Sequence, residues 1–454
     1  MGYLGAAALA SPAALAACGS DSKKSTNTTT NTTAPAATGA ATTGSSTGGS
    51  TGTSATGAGV GAELIAALGV PATDKLGGGM SWQMGAVLAL TGNGSFYGKT
   101  MGRGIDLAVK HIKAAGGPDI KVVYKDHKSG DPQAGVQAMT ELGTSAVPAK
   151  LASYGDDILA MLPLTQQYKC LTLDGGGGNG GSGQRQDFFW GTRALTGLDM
   201  LGGLFRYIGE TMPEAKTMGF VGWDLGAKLN ADTRRLVLGA LTGTTLTHNG
   251  LFELAAPNTT DFVSLLTRIK ANQPDVLLVE IFGQDPGFFL DQAQTADLTT
   301  KIFGVEFTPD GLNASKGAMD KAGWTFSTDY FNADEATSKL GKMFVREFKA
   351  EYGDSPDFYA ANYYEDTLAM WDIVRRVLNK GGDINSGPVL QDGLKENYVF
   401  PSVYGGDDNA VGTFEFDPDT HSLKRRPMGV FVYKDGKVKT LATFNIGAAD
   451  YKKL

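Results

Sequence analysis

Two cysteines, Cys18 and Cys170, and four histidines, His111, His127, His248 and His421, are all the soft ligands that 454 residues contain. They can build neither a disulfide framework nor a four-ligand zinc site, and no H-x-x-x-H spacing sets two histidines on one helix face, so no structural metal is expected. Positive charge is short as well. Lys and Arg number 40 against 47 Asp and Glu, for a net charge of -7 and a pI near 5.3. Such a chain is repelled by nucleic acid and by anionic membrane surfaces, which excludes nucleic acid as a partner. No apolar run reaches the ~20 residues a membrane-spanning helix needs. Glycine is the excess residue, 63 in all, about double its usual ~7%, yet glycine and proline together stay below the ~25–30% that marks disorder throughout. With 42% hydrophobic residues the chain must bury a core. At roughly 150 residues per domain its length allows about three units, one of them taken by a low-complexity N-terminal stretch, leaving two lobes.

That stretch opens with an uncharged run, Leu4 to Ala17, of the length of a signal-peptide h-region. It ends in Leu15-Ala16-Ala17-Cys18-Gly19, which resembles a bacterial lipobox, so residues 1–18 read as a lipoprotein signal with Cys18 as the lipidation site. Residues 19–79 read as a disordered tether rich in Ser, Thr, Gly and Ala, because little in them can pack. A formal G-x-S-x-G match at Gly44 to Gly48 lacks the strand and helix that a nucleophile elbow requires.

From Met80 onward, short apolar runs alternate with longer amphipathic stretches, the texture of repeated βαβ units. Strands are expected at 81–90, 121–124, 149–153 and 170–173. Helices are expected at 98–115, from Asp131 as N-cap with Pro132 at the first position, and at 159–168. After Phe188-Phe189-Trp190 a second series follows, with helices at 200–212, 229–241, 260–272 and 288–296 and strands at 217–221, 250–254, 276–281 and 301–305. Two parallel sheets are implied. Two long helices lie between Glu335 and Gly381, and strands follow at 412–416 and 429–438, with Asp435-Gly436 as a hairpin turn.

Several short segments occur in a telling order. They are Gly92-Asn93-Gly94-Ser95-Phe96-Tyr97-Gly98, Tyr124-Lys125-Asp126 with Asp131-Pro132-Gln133-Ala134, Gly304-Val305-Glu306, Tyr359-Ala360-Ala361-Asn362-Tyr363-Tyr364 and Gly412-Thr413-Phe414-Glu415-Phe416-Asp417. The set resembles the branched-chain amino-acid/amide/urea substrate-binding proteins of ABC importers, over about Met80 to Lys439. The resemblance implies an α/β fold of two doubly wound parallel-sheet lobes joined by three hinge crossovers, the type I periplasmic-binding fold, with the ligand in the cleft at the strands' C-terminal ends. By analogy the crossings fall near Arg193 to Thr196, Trp324 to Thr328 and Phe416 to Ser422. Lobe 1 is then 80–194 plus 328–416, and lobe 2 is 195–327 plus 417–454. The resemblance also implies a small-molecule ligand and an ABC permease as partner; with the lipobox it gives an extracytoplasmic protein held to the membrane through a lipid on Cys18, and no spacing in the chain specifies a catalytic residue or calls for a cofactor.

The same resemblance places ligand contacts at Ser95, Phe96 and Tyr97, at Tyr154, Gly155 and Asp156, at Asp174 and Gly175, and at Trp223, Phe282 and Glu306. Glu306 matches the family glutamate that holds a ligand ammonium, and Tyr97 can add a ring face or a phenol hydrogen bond. A rim ion pair for Glu306 and simple packing for Tyr97 are the bland alternatives. The loop after the third strand, Ser153-Tyr154-Gly155-Asp156-Asp157, lacks the serines that take a carboxylate in the family. Asp156 and Asp157 either face the ligand or cap and charge the next helix. With Asp174 and Glu306 they favour a ligand with a cationic or hydrogen-donating end, such as an amide, urea-like compound, amine or basic amino acid.

Four other readings compete. Gly92-x-Gly94-x-x-x-Gly98 followed by Asp126 approaches a dinucleotide fingerprint and so a nucleotide-dependent oxidoreductase, but its spacing is off by one and large rings occupy the turn. The Gly175 to Gly183 run looks like a phosphate cradle, without the Lys-Ser/Thr that would complete one. An exported hydrolase would draw on Asp156, Asp157 and Glu306, and a ligand-sensing receptor domain would share the fold.

Overall fold

A computed structural model describes residues 57–177, 186–193, 198–405 and 412–454, the side chains of 57, 58, 155–158, 198 and 199 excepted. Cys18 and the Gly-rich positions beyond Gly177 lie outside the described residues, as does the side chain of Asp156. The first element is a helix, α1 (Gly57–Leu68), followed by β1 (Ser81–Leu88), α2 (Ser95–Ala114), β2 (Asp119–Asp126), α3 (Pro132–Thr144), β3 (Ala149–Ala152), α4 (Gly155–Tyr168), β4 (Leu171–Asp174) and β5 (Phe189–Gly191). These five strands form one sheet in the order β2-β1-β3-β4-β5, parallel throughout. Strands buried on both faces read as near-continuous apolar runs. Accordingly Ala86, Leu88 and Leu151 point into one core with α2, while Val87 and Ala152 point into another with Met139, Leu142, Met161 and Leu162 of α3 and α4.

The second lobe repeats the plan with α5 (Leu198–Thr211), β6 (Thr217–Trp223), α6 (Ala227–Ala240), β7 (Thr247–Ala255), α7 (Val263–Ala271), β8 (Val276–Glu280), α8 (Asp285–Thr295), β9 (Lys301–Gly304), the short α9 (Pro309–Ala314) and α10 (Ala318–Ala322), and β10 (Trp324–Asp329). The chain then returns to lobe 1 through α11 (Lys339–Tyr352), α12 (Phe358–Asn379), α13 (Gly387–Lys395), β11 (Val399–Ser402), β12 (Gly412–Asp417) and β13 (Ser422–Arg425), and ends in lobe 2 with β14 (Pro427–Lys434), β15 (Lys437–Asn445) and β16 (Ala449–Lys453). The lobe 2 sheet runs β16-β15-β14-β10-β9-β8-β6-β7. Its β7-β6-β8-β9-β10 part is parallel, and the three C-terminal strands join it antiparallel through β10. The hairpin turn at Asp435-Gly436 has positive φ at both residues, the twist a two-residue hairpin requires.

Three expectations need correction. The tether does not extend to residue 79, because α1 buries Val60, Leu64 and Ala67 in the lobe 1 core and Glu63 pairs with Arg346 of α11 at 2.7 Å. That i, i+4, i+7 spacing is a helical stripe hidden in an Ala/Gly-rich stretch. The second crossing lies after Asp329 rather than at 324–328, since β10 pairs with β14 along its whole length. The third lies at Arg426 rather than 416–422, since Phe416 and Leu423 belong to the lobe 1 core and β13 pairs with β12. Of the first expected crossing, Arg193 to Thr196, residues 194–196 lie outside the described residues.

Candidate ligand-binding cleft

Glu306 stands just beyond the C-terminal end of β9, on a turn whose shape is set by its neighbours. A Cβ at Gly304 would lie 2.0 Å from the Trp324 ring, so only glycine lets that indole cover the turn, and the Trp324 Nε1 donates to the Glu306 carbonyl at 2.8 Å. Thr308 caps α9 by accepting from the Gly311 N–H and ties the turn to the β8–α8 loop through the Gly283 carbonyl. The carboxylate, 1% exposed, is then met by three donors. Oε1 accepts from the Tyr97 hydroxyl at 2.7 Å and the Gly283 N–H at 2.8 Å, and Oε2 accepts from the Tyr359 hydroxyl at 3.1 Å. Tyr97 and Tyr359 belong to lobe 1 and Glu306 to lobe 2, so one carboxyl group joins the lobes across the cleft. Burial pushes its pKa up, against those donors and the Arg193 charge. Burial also holds both phenols far above their ordinary range, so they stay protonated donors. Glu306 is thus buried rather than on the rim, and Tyr97 hydrogen-bonds to it as well as packing.

The first-lobe loops close around the same point. Gly98 is glycine because a Cβ there would lie 1.9 Å from the Ala89 carbonyl, and Gly94 because one would lie 2.0 Å from the Tyr154 hydroxyl. Internal packing thus accounts for the spacing that resembled a dinucleotide fingerprint. Asp126, its would-be ribose acid, instead accepts from the Leu90 and Lys128 N–H groups and organises that loop. Ser95 and Phe96 are half-buried beside Tyr97, whose ring meets Phe96 edge-on at 5.7 Å, Tyr154 at 6.0 Å and Tyr359 at 4.9 Å. Tyr154 has φ 71 and occupies the N-cap of α4, so Gly155 opens the helix and Asp156 and Asp157 fall in its first turn. Ser153 is turned inward: its hydroxyl donates to the Val87 carbonyl, and His127 reaches it at 2.8 Å.

Asp174 accepts from the Gly176 and Gly177 N–H groups through Oδ1, which makes it the organiser of the glycine loop. Gly175 lies where a Cβ would stand 2.6 Å from Asp366, and its carbonyl accepts from Asn362. In lobe 2, Trp223 and Phe282 form an edge-on pair at 5.1 Å, and the Trp223 indole donates to Asp285, whose pKa burial raises to about 6. Sequence reasoning missed Tyr359, Gly283 and Arg193 as parts of this constellation. Tyr359 opens a segment already noted on the late helix, and Arg193 is the first cation after β5, but neither pattern says that the two side chains meet.

Two α/β lobes, three crossovers and a carboxyl group shared across the intervening cleft define a two-lobed solute-binding protein of the type I periplasmic-binding fold. A family model described as periplasmic binding protein matches residues 81–437, and the chain belongs to that family. Among solved structures it is similar to the branched-chain amino acid transporter substrate-binding protein LivJ from Streptococcus pneumoniae in complex with isoleucine. The TM-score is 0.68 at 19% identity, covering 81% of this chain and 99% of that one. It is similar also to a leucine-binding protein LivK from Thermotoga maritima, with TM-score 0.68, 17% identity and coverage of 80% and 98%. A Rhodopseudomonas palustris solute-binding protein in complex with benzoate has TM-score 0.65, 20% identity and coverage of 81% and 97%.

Proposed function

We propose that this chain is an extracytoplasmic lipoprotein, anchored through Cys18, that captures a small polar solute and presents it to an ABC importer permease by closing its cleft. The solute is an amino acid, an amide or a urea-like compound. The observation that carries the reading is Glu306, a buried carboxylate that accepts three of the roughly four hydrogen bonds its oxygens can take, placed where Tyr97 and Tyr359 of the other lobe reach it. Such a group favours a cationic or N–H-bearing ligand end, and the surrounding rings offer faces to it. The similar LivJ, in complex with isoleucine, and the leucine-binding LivK support an amino-acid solute. A ring-bearing acid is the second reading, favoured by the Trp223–Phe282 pair in lobe 2 and by the benzoate-bound relative.

The protein binds without turnover in this reading. Mass spectrometry of compounds released from denatured, freshly purified protein identifies the solute, and a released nucleotide would refute the proposal. Calorimetric titration of that solute into Glu306→Gln should show a loss of roughly tenfold to more than a hundredfold in affinity with little change in melting, as expected for losing one charge-assisted hydrogen bond. Unchanged affinity would remove Glu306 from the site.

A further inference from the structure

Arg193 ends the first stretch of lobe 1 and is 1% exposed. Its Nε donates to Asp329 Oδ2 at 3.2 Å, and its Nη1 donates to the Tyr359 hydroxyl at 2.8 Å and the Gly176 carbonyl at 3.2 Å. The guanidinium lies against the faces of Phe358 and Tyr359 at 4.8 and 4.7 Å. Nη2 has no hydrogen-bond partner among the described residues. Folded proteins leave few buried donors unpaired, and fewer still on a charged group, so such a donor points to a partner of its own.

Three further observations say what that partner is. Tyr359 receives from Arg193 and donates to Glu306, so the cation and the carboxylate stand about 6 Å apart or less, a separation at which a shielded site feels both charges. Asp329 divides its oxygens between Arg193 and Arg426, the second at 3.0 Å, which leaves Arg193 only part of one counter-charge. The Ser153 hydroxyl, the nearest candidate to take an acidic ligand end from the third-strand loop, is directed to the Val87 carbonyl instead.

We propose that Arg193 is the second anchor of the ligand, its Nη2 donating to a carboxylate or carbonyl oxygen of the same molecule whose N–H-bearing end Glu306 receives. This rests on the reading of the cleft as a site for a small polar solute, and it narrows the class. The ligand carries a donor end and an acceptor end a few ångströms apart, as an α-amino acid or a short amide does, and a simple amine is a poor substitute.

Ligand-stripped full-length protein is titrated with L-leucine and with isopentylamine, which is leucine without its carboxylate. Wild type should prefer leucine by tenfold or more, as a charge-assisted hydrogen bond would give. Arg193→Lys and Arg193→Gln, each first shown to melt cooperatively, should bring that preference below about threefold. The ratio is the readout because a damaged hinge weakens both probes alike. Should neither variant fold, 15N-labelled arginine side chains in wild type supply the test: the Arg193 guanidinium signals should move with leucine and stay in place with the amine. Preference retained in the variants, or signals unmoved while leucine binds, overturns the role of Arg193 alone and gives Nη2 to water. Failure of wild type to bind either probe overturns the amino-acid reading of the cleft and this assignment with it.

Discussion

A carboxylate taken out of water keeps its charge cheaply only where donors replace the lost hydration, and two glutamates of lobe 2 show the contrast. Glu306 has three donors and the Arg193 charge near it. Glu280, at the end of β8 and 5% exposed, has no partner for Oε2 among the described residues, and burial raises its pKa to about 8. Because that value lies above the ordinary carboxyl range, Glu280 costs nothing while it is protonated in both folded and unfolded chains. It progressively destabilises the folded state as pH climbs from about 4.5 through about 8. Glu280→Gln should therefore gain stability over wild type by up to ~1.4 kcal/mol per pH unit across that window and level off above it, the total being of the order of a few kcal/mol. Urea denaturation of both proteins at pH 5, 6.5, 8 and 9 checks this, and a difference that does not vary with pH would show that Glu280 is neutralised some other way.

At the scale of elements, the three crossovers are pinned to one another. Arg193 comes from the first, Asp329 from the second and Arg426 from the third, with exposures of 1%, 0% and 0%. Asp329 holds both arginines, and Arg426 also donates to Glu365 and Asn362 of α12. Breaking a buried network from its centre leaves charges uncompensated, so Asp329→Asn should lower unfolding free energy by about 3–5 kcal/mol, measured by chemical denaturation. Helix α1 makes the complementary case at the edge of lobe 1. Leu64 is 0% exposed within that core, so Leu64→Ala should cost about 2–5 kcal/mol. A melting temperature unaffected by Leu64→Ala would return this segment to the tether.

For the two-lobed body, the proposed closure is tested by where the donors sit. Tyr97 and Tyr359 of lobe 1 reach Glu306 of lobe 2, so a ligand that adds further contacts from both sides would select a closed arrangement by its differential affinity. Shifting the population from 1:99 to 99:1 takes ~5.5 kcal/mol of that difference, which a few charged contacts can supply. A saturating solute should lower the radius of gyration in solution scattering. A radius unchanged at saturation would sink closure as the transport signal.

The sequence alone determined the alternation of strands and helices, the Asp131–Pro132 helix start, the hairpin at Asp435-Gly436 and the candidacy of Glu306, because each is written in residues close together along the chain. Apolar periodicity reports which face of an element is buried. It does not report which other element covers that face, and so α1, whose stripe is short and uncharged, read as tether. Only the tertiary structure decided where the crossings lie, since pairing of β10 with β14 and of β12 with β13 depends on strands far apart in sequence. It alone also decided that Arg193, Asp329 and Arg426 meet, and that Tyr359 stands between Arg193 and Glu306. Those residues sit at strand ends and on a long helix without a shared local pattern. What brings them together is the winding of two sheets whose C-terminal edges face one cleft, a long-range property that no window of neighbouring residues contains.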